Sequence, residues 1–127
     1  MTHGSYGDLT PDEVKTLIEQ SLDADKAVDI VTIDLKDQTA VADYMVVASG
    51  TSSRHVSALA EKLKSRLEIK GVRGIRMEGV AQSDWVAIDA GDVIVHLFRP
   101  EVRDFYNIEK MWGGFQSFES THEQIQA

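Results

Sequence analysis

Two short stretches of this chain hold the residue types that could do chemistry. The first is Asp89-Ala90-Gly91-Asp92 followed by His96. Carboxylate and imidazole are ligands for zinc or manganese. Both flanking runs, Trp85–Asp89 and Val93–Phe98, are β-branched and aromatic, so they read as two antiparallel strands around a tight turn. With Ala90 and Gly91 as the two loop residues, Asp89 faces Asp92, Ala87 faces Ile94 and Trp85 faces His96. That places His96 some ~13 Å from Asp92 by strand rise, too far for one ion. The second stretch is Ser49-Gly50-Thr51-Ser52. A phosphate could sit there on free amides at a helix N-terminus, as in a nucleotidyltransferase. Such an enzyme also needs paired carboxylates shortly downstream to hold magnesium. The next acids after Ser53 are Glu61 and Glu68, both on a helix, so helix capping explains the hydroxyls better. Ser49, Ser52, His55 and Asp84 can be assembled on paper into a hydrolase triad, but no nucleophile-elbow pattern accompanies them. Neither a metal, a cofactor nor a catalytic residue is expected.

Alternation along the hairpin predicts two faces. Val86, Ile88, Val93, Val95 and Leu97 make one, wholly apolar and therefore buried. Trp85, Ala87, Asp89, Asp92, Ile94, His96 and Phe98 make the other. Its mixture of indole, imidazole, carboxylate and aliphatic groups suits a half-exposed recognition surface. After Arg99-Pro100 a helix is expected to run to Trp112 and stop at Gly113-Gly114. Val102, Phe105, Tyr106, Glu109 and Trp112 fall on one side of it. Trp, Tyr and Arg are the types that anchor protein interfaces. The candidate partner-binding residues are Asp84, Trp85, Asp89, Asp92, His96, Arg103, Tyr106, Glu109 and Trp112.

The elements that position this hairpin follow in order. Residues 1–9 read as a flexible N-terminus. Thr10-Pro11-Asp12-Glu13 is a capping box with Pro at the first helical position. Val14, Leu17, Ile18 and Leu22 carry that helix to about Lys26. A strand is expected over 28–35, and a central strand, covered on both sides, over Tyr44–Ser49. A second helix opens at Thr51-Ser52-Ser53, buries Val56, Leu59, Ala60, Leu63 and Leu67, and ends at Gly71. A third strand is expected over 72–77. The order α-β-β-α-β-β-β-α predicts one mixed-sheet α/β (α+β) domain over 10–113, with 114–127 as a tail.

Composition bounds the function. The chain has 127 residues, no Cys and a net charge of −8. Disulfides and thiolate metal sites are excluded. A charge of this sign opposes phosphate-led, sequence-specific nucleic-acid binding; it allows attraction to a basic partner and equally serves solubility. No apolar run approaches the ~20 residues that span a bilayer, and the N-terminus has no signal-peptide character, which points to the cytoplasm.

Taken together, several motifs resemble the ribosomal silencing factor (RsfS, Iojap-like) family. They are Glu78-Gly79, Asp84-Trp85, Asp89-x-Gly91-Asp92-Val93-x-Val95-His96 and Arg103-x-x-Tyr106-x-x-Glu109-x-x-Trp112, with Asp43-Tyr44 and Ser49-Gly50-Thr51-Ser52-Ser53-Arg54-His55-Val56 upstream. Their order and spacing match over residues 10–112. Ala87 and Ala90 stand where larger apolar residues are common. The resemblance implies a nucleotidyltransferase-like sheet without the catalytic acids. It also implies a translation repressor that binds the fourteenth protein of the large ribosomal subunit and blocks subunit joining. The alternatives are a homodimer built on the same patch and a nucleotidyltransferase-related activity.

Overall fold

The computed structural model describes residues 9–82 and 84–106, with only the backbone for 104–106. Its elements are α1 (Pro11–Ala24), β1 (Val28–Asp34), β2 (Tyr44–Ser49), α2 (Ser53–Ile69), β3 (Arg76–Glu78), β4 (Trp85–Asp89), β5 (Val93–Phe98) and α3 (Pro100–Tyr106). The element order and the mixed-sheet class are as the sequence predicts. One five-stranded sheet runs β1-β2-β5-β4-β3, with β2 and β5 parallel and the other pairs antiparallel. The parallel pair requires a crossover, and α2 lies within it.

Local chemistry sets the helix ends. The Thr10 hydroxyl accepts from the Glu13 amide at 3.1 Å, and the Glu13 carboxylate accepts from the Thr10 amide at 2.9 Å. This reciprocal box satisfies two of the helix's orphan donors. Ser52 caps α2 by accepting from the His55 amide at 3.1 Å. At its other end the Val72 amide reaches the Leu67 carbonyl and the Gly71 amide the Glu68 carbonyl, at 2.9 and 3.0 Å. Gly71 takes φ +97°, the left-handed conformation this closing motif needs. The tight closure explains a correction to the third strand. Val72 is tucked beneath the end of α2, and pairing begins only at Arg76, so β3 has three residues instead of the six expected.

Both long helices pack on one face of the sheet. Val14, Ile18 and Leu22 of α1 and Val56, Leu59, Leu63 and Leu67 of α2 meet Tyr44, Val46, Val86, Ile88, Val95 and Leu97. The expected α2 stripe is the buried one. The opposite face holds a second cluster: Ile33, Leu35, Ala42, Met45, Val47 and Phe98, with Val31, Trp85, Ile94 and Val102 half-buried against it. Because both faces carry a cluster, every residue of β2 is buried, as a central strand demands. Among the described residues no helix longer than the seven-residue α3 lies on the second face.

A polar lock ties the start of α1 to the start of β2. The Tyr44 hydroxyl donates to Asp12, and Lys36 reaches that hydroxyl at 2.6 Å with its ammonium 4.2 Å from the ring centre. The hydrogen bond from Tyr44, and then the nearby Lys36 charge, hold the Asp12 carboxyl below its ordinary range.

Candidate functional site

The hairpin faces are those predicted, but the pairing is not. Trp85 pairs with Phe98, Ala87 with His96 and Asp89 with Ile94. The Ala90 amide donates to the Val93 carbonyl at 3.0 Å, so Gly91-Asp92 is the two-residue loop, not Ala90-Gly91. Gly91 has φ +88° and no positive φ occurs at Asp92, the signature of a II′ turn with Gly first. Ala90 carries a Cβ and is buried; it closes the pair without strain. The Asp89 carboxylate further fixes the loop by accepting from the Gly91 amide at 2.9 Å. The displacement moves each partner by two residues. An even shift keeps every side chain on its face, so the face prediction survives the wrong register. Val86, Ile88, Val93, Val95 and Leu97 are fully buried under the helices. Asp92 leaves the ladder for the turn and no longer faces Asp89.

On the second face three rings form a cluster. Trp85 lies 5.0 Å from Phe98 and 5.7 Å from His96, centre to centre, and His96 stacks on Phe98 at 6.1 Å and 14°. The Trp85 indole N–H donates to His96 Nδ1 at 2.9 Å, across the ladder diagonal. Burial holds the His96 imidazole neutral, pushing its pKa down to about 4. Gly79 sets the start of β4. Its φ is +90°, and a Cβ there would stand 2.2 Å from the Trp85 carbonyl oxygen. Only glycine allows the chain entering β4 to pass this close.

The acids around the rings have partners inside the fold. Asp84 pairs with the Arg99 guanidinium at 2.9 Å and its carbonyl accepts from the Arg99 amide at 3.1 Å, closing the open end of the hairpin. Arg99 also meets Glu101 at 3.0 Å. Asp89 meets Arg76 of β3 at 3.3 Å. The Asp92 carbonyl accepts from the Asp43 and Tyr44 amides, tying the turn to the start of β2.

Arg103 was expected on the surface with the aromatics. It is instead 8% exposed, and its guanidinium donates to the Ser49 hydroxyl at 2.9 Å. It fastens α3 to the end of β2. The side chain of Tyr106 and all of Glu109 and Trp112 lie outside the described residues, as do the expected end of the last helix at Gly113-Gly114 and most of the two terminal segments.

The Ser49-to-Val56 motif is a junction built from internal bonds. Thr51 donates its amide to His55 Nδ1, so the neutral ring must carry its proton on Nε2, which meets the Asp25 carbonyl; both contacts are 2.9 Å. A Cβ on Gly50 would stand 2.8 Å from Val56 Cγ2, so glycine lets α2 begin tight against β2. Ser49 serves Arg103, Ser52 caps, and Ser53 lies 3.5 Å from Asp84. These groups therefore do not form a nucleophile–base relay. A hollow of about 360 Å³ lies between α1 and α2, lined by Leu17, Ser21, Ala24, Arg66 and Ile69. It is on the opposite side of the sheet from the rings.

The sequence reading missed three contributors. Phe98 is the floor under Trp85 and His96; it sat on the right face but appears only once the register is right. Arg76 depends on β3 pairing with β4, and a three-residue strand leaves no periodic signal. Arg99 binds Asp84 across fifteen residues, a contact visible only from the closed hairpin.

Comparison with known proteins gives a consistent result. Residues 8–127 match the family model described as "Ribosomal silencing factor during starvation". A ribosomal silencing factor of Zymomonas mobilis is 52% identical over 103 residues, covering 81% of this chain and 77% of that one. A crystal structure of a Chromobacterium violaceum protein superposes with a TM-score of 0.80 at 40% identity, covering 83% of this chain and 88% of that one. A mouse protein named for mitochondrial assembly of the ribosomal large subunit is 34% identical over 106 residues, covering 81% of this chain and 46% of that one.

Proposed function

Because this chain belongs to the ribosomal silencing factor family, we propose that it binds the large ribosomal subunit through that subunit's fourteenth protein and blocks joining of the small subunit. The family membership itself carries a ribosome-associated, translation-silencing role. The name of the mouse relative supports the large subunit as the partner. The mechanism is steric: a folded domain seated on the joining face excludes the other subunit, and no bond is made or broken. In this reading the chain is a cytoplasmic binding module and not an enzyme. No helix among the described residues is long and apolar enough to cross a membrane.

The observation that carries the choice of surface is the Trp85–His96–Phe98 cluster on the sheet face away from α1 and α2. Trp85 and His96, half-buried with polar tips over the buried Phe98, have the chemistry of an interface anchor. Asp84, Asp89 and Asp92 stand at the two ends of the hairpin, and the whole chain carries −8, which favours a basic partner. Tyr106, Glu109 and Trp112 extend the proposed contact, while Arg103 contributes by holding α3 in place. The reading is tested by titrating the isolated fourteenth protein with this chain. Saturable one-to-one binding that competes with any self-association supports it. Absence of binding at tens of micromolar removes the partner.

A further inference from the structure

We propose that His96 presents its Nε2–H as a fixed hydrogen-bond donor to a carbonyl oxygen of the protein that docks on this face, with Trp85 setting the tautomer. The proposal rests on the reading above and adds the group that recognises the partner.

The tautomer follows from the partner on the other nitrogen. An indole N–H can only donate, so Nδ1, which accepts it at 2.9 Å, carries no proton. The proton of the neutral ring is then on Nε2. A half-turn of the ring would put Cδ2 where Nδ1 stands and forfeit the bond from Trp85. Burial keeps the imidazole uncharged, with its pKa down to about 4, so at neutral pH the donor is a neutral one. Nε2 makes no hydrogen bond to any described residue. The direct neighbours of His96 in the sheet are Val47 and Ala87, with Ile94 and Phe98 two positions away along β5. None of their side chains can accept a hydrogen bond.

A polar donor among apolar groups is costly to cover unless the covering surface supplies an acceptor. A neutral N–H in such a setting is best matched by a neutral acceptor, because desolvating a carboxylate there costs far more. The acceptor on a polypeptide that fits is a carbonyl oxygen. Asp84 and Asp89 near the ends of β4, and the −8 charge of the chain, select a basic polypeptide to supply it.

Two substitutions separate the nitrogens of the ring. The Asn amide occupies the place of Nδ1 and can still accept from Trp85, but it has nothing at Nε2. The Gln amide reaches the Nε2 position and can donate outward. Affinity for the isolated fourteenth protein is measured for the parent, His96→Asn and His96→Gln, each with its thermal melt. His96→Asn is expected to bind about ten- to a hundredfold more weakly, and His96→Gln to stay within about threefold of the parent. Asn binding as tightly as the parent, or Gln binding no better than Asn, overturns the proposal while leaving the partner intact. No binding by the parent itself overturns the partner and this assignment together. Should a variant not fold, nitrogen-15 NMR of the parent imidazole decides. The free chain must show a proton on Nε2 and none on Nδ1, and adding the partner must slow exchange of that proton. A proton on Nδ1, or exchange that the partner leaves unchanged, overturns it.

Discussion

Protonation of His96 has a defined sign. The unfolded chain takes this proton near pH 6.5, whereas the folded chain resists it until about 4. The folded state is therefore fully favoured above 6.5 and loses stability as pH falls from 6.5 towards 4. The loss is at most about 3 kcal/mol. Urea melts across this range should show a slope that His96→Asn flattens; an unchanged slope would place the titration elsewhere. Asp12, lowered by its bond from Tyr44, acts in the same direction but at lower pH. Trp85→Ala should weaken binding of the fourteenth protein by about 2–4 kcal/mol, roughly thirty- to a thousandfold. Its melt must stay cooperative for the result to count, because Trp85 also covers Phe98. At this scale the sequence was legible where chemistry is local. The face shared by Trp85, Ile94 and His96 follows from alternation alone. Arg103 was not legible, because the hydroxyl that takes its guanidinium comes from Ser49, fifty-four residues earlier. An Arg beside aromatics looks the same in sequence whether it faces a partner or the core.

Among the elements, capping signals were read correctly and register was not. Thr10 and Glu13 identify the start of α1 because both halves of the box lie within four residues. Thr10→Ala should cost about 1 kcal/mol, seen as a lower urea midpoint with an unchanged slope. The hairpin turn was misplaced because Ala-Gly and Gly-Asp both look like two-residue loops. What decides is which residue must take φ > 0, and Gly91 at the first loop position settles it. β3 was overextended because the residues after Gly71 are apolar enough to look like a strand, while Val72 in fact closes α2. Gly79 couples these elements to the rings. Gly79→Ala combines a disfavoured φ with a Cβ 2.2 Å from the Trp85 carbonyl, so the start of β4 must move. The expected loss is about 2–4 kcal/mol of stability, with a change in Trp85 fluorescence. A variant with the parent's melt and spectrum would mean that the junction tolerates a side chain.

For the whole molecule, the sheet order is the part that sequence periodicity did not contain. Nothing local says that β5 lies beside β2 and parallel to it, yet this pairing brings Val47 next to His96 and builds the second face. The two long helices take the other face, and the rings lie on the opposite side, the one proposed above for the partner. The −8 charge then acts over the whole surface. Binding to a basic partner should weaken as salt rises, since exposed charges are screened over about 10 Å at 0.1 M, while the ring contacts should persist.

The central claim is that this chain recognises the large subunit and thereby prevents joining. Co-sedimentation with purified large and small ribosomal subunits, presented separately and mixed under joining conditions, tests it most directly. The chain should travel with the large subunit and not with the small one, and in the mixture it should shift mass from joined ribosomes to free subunits. Sedimentation with the small subunit alone, or unchanged joining at saturating amounts of a chain bound to the large subunit, would contradict the account.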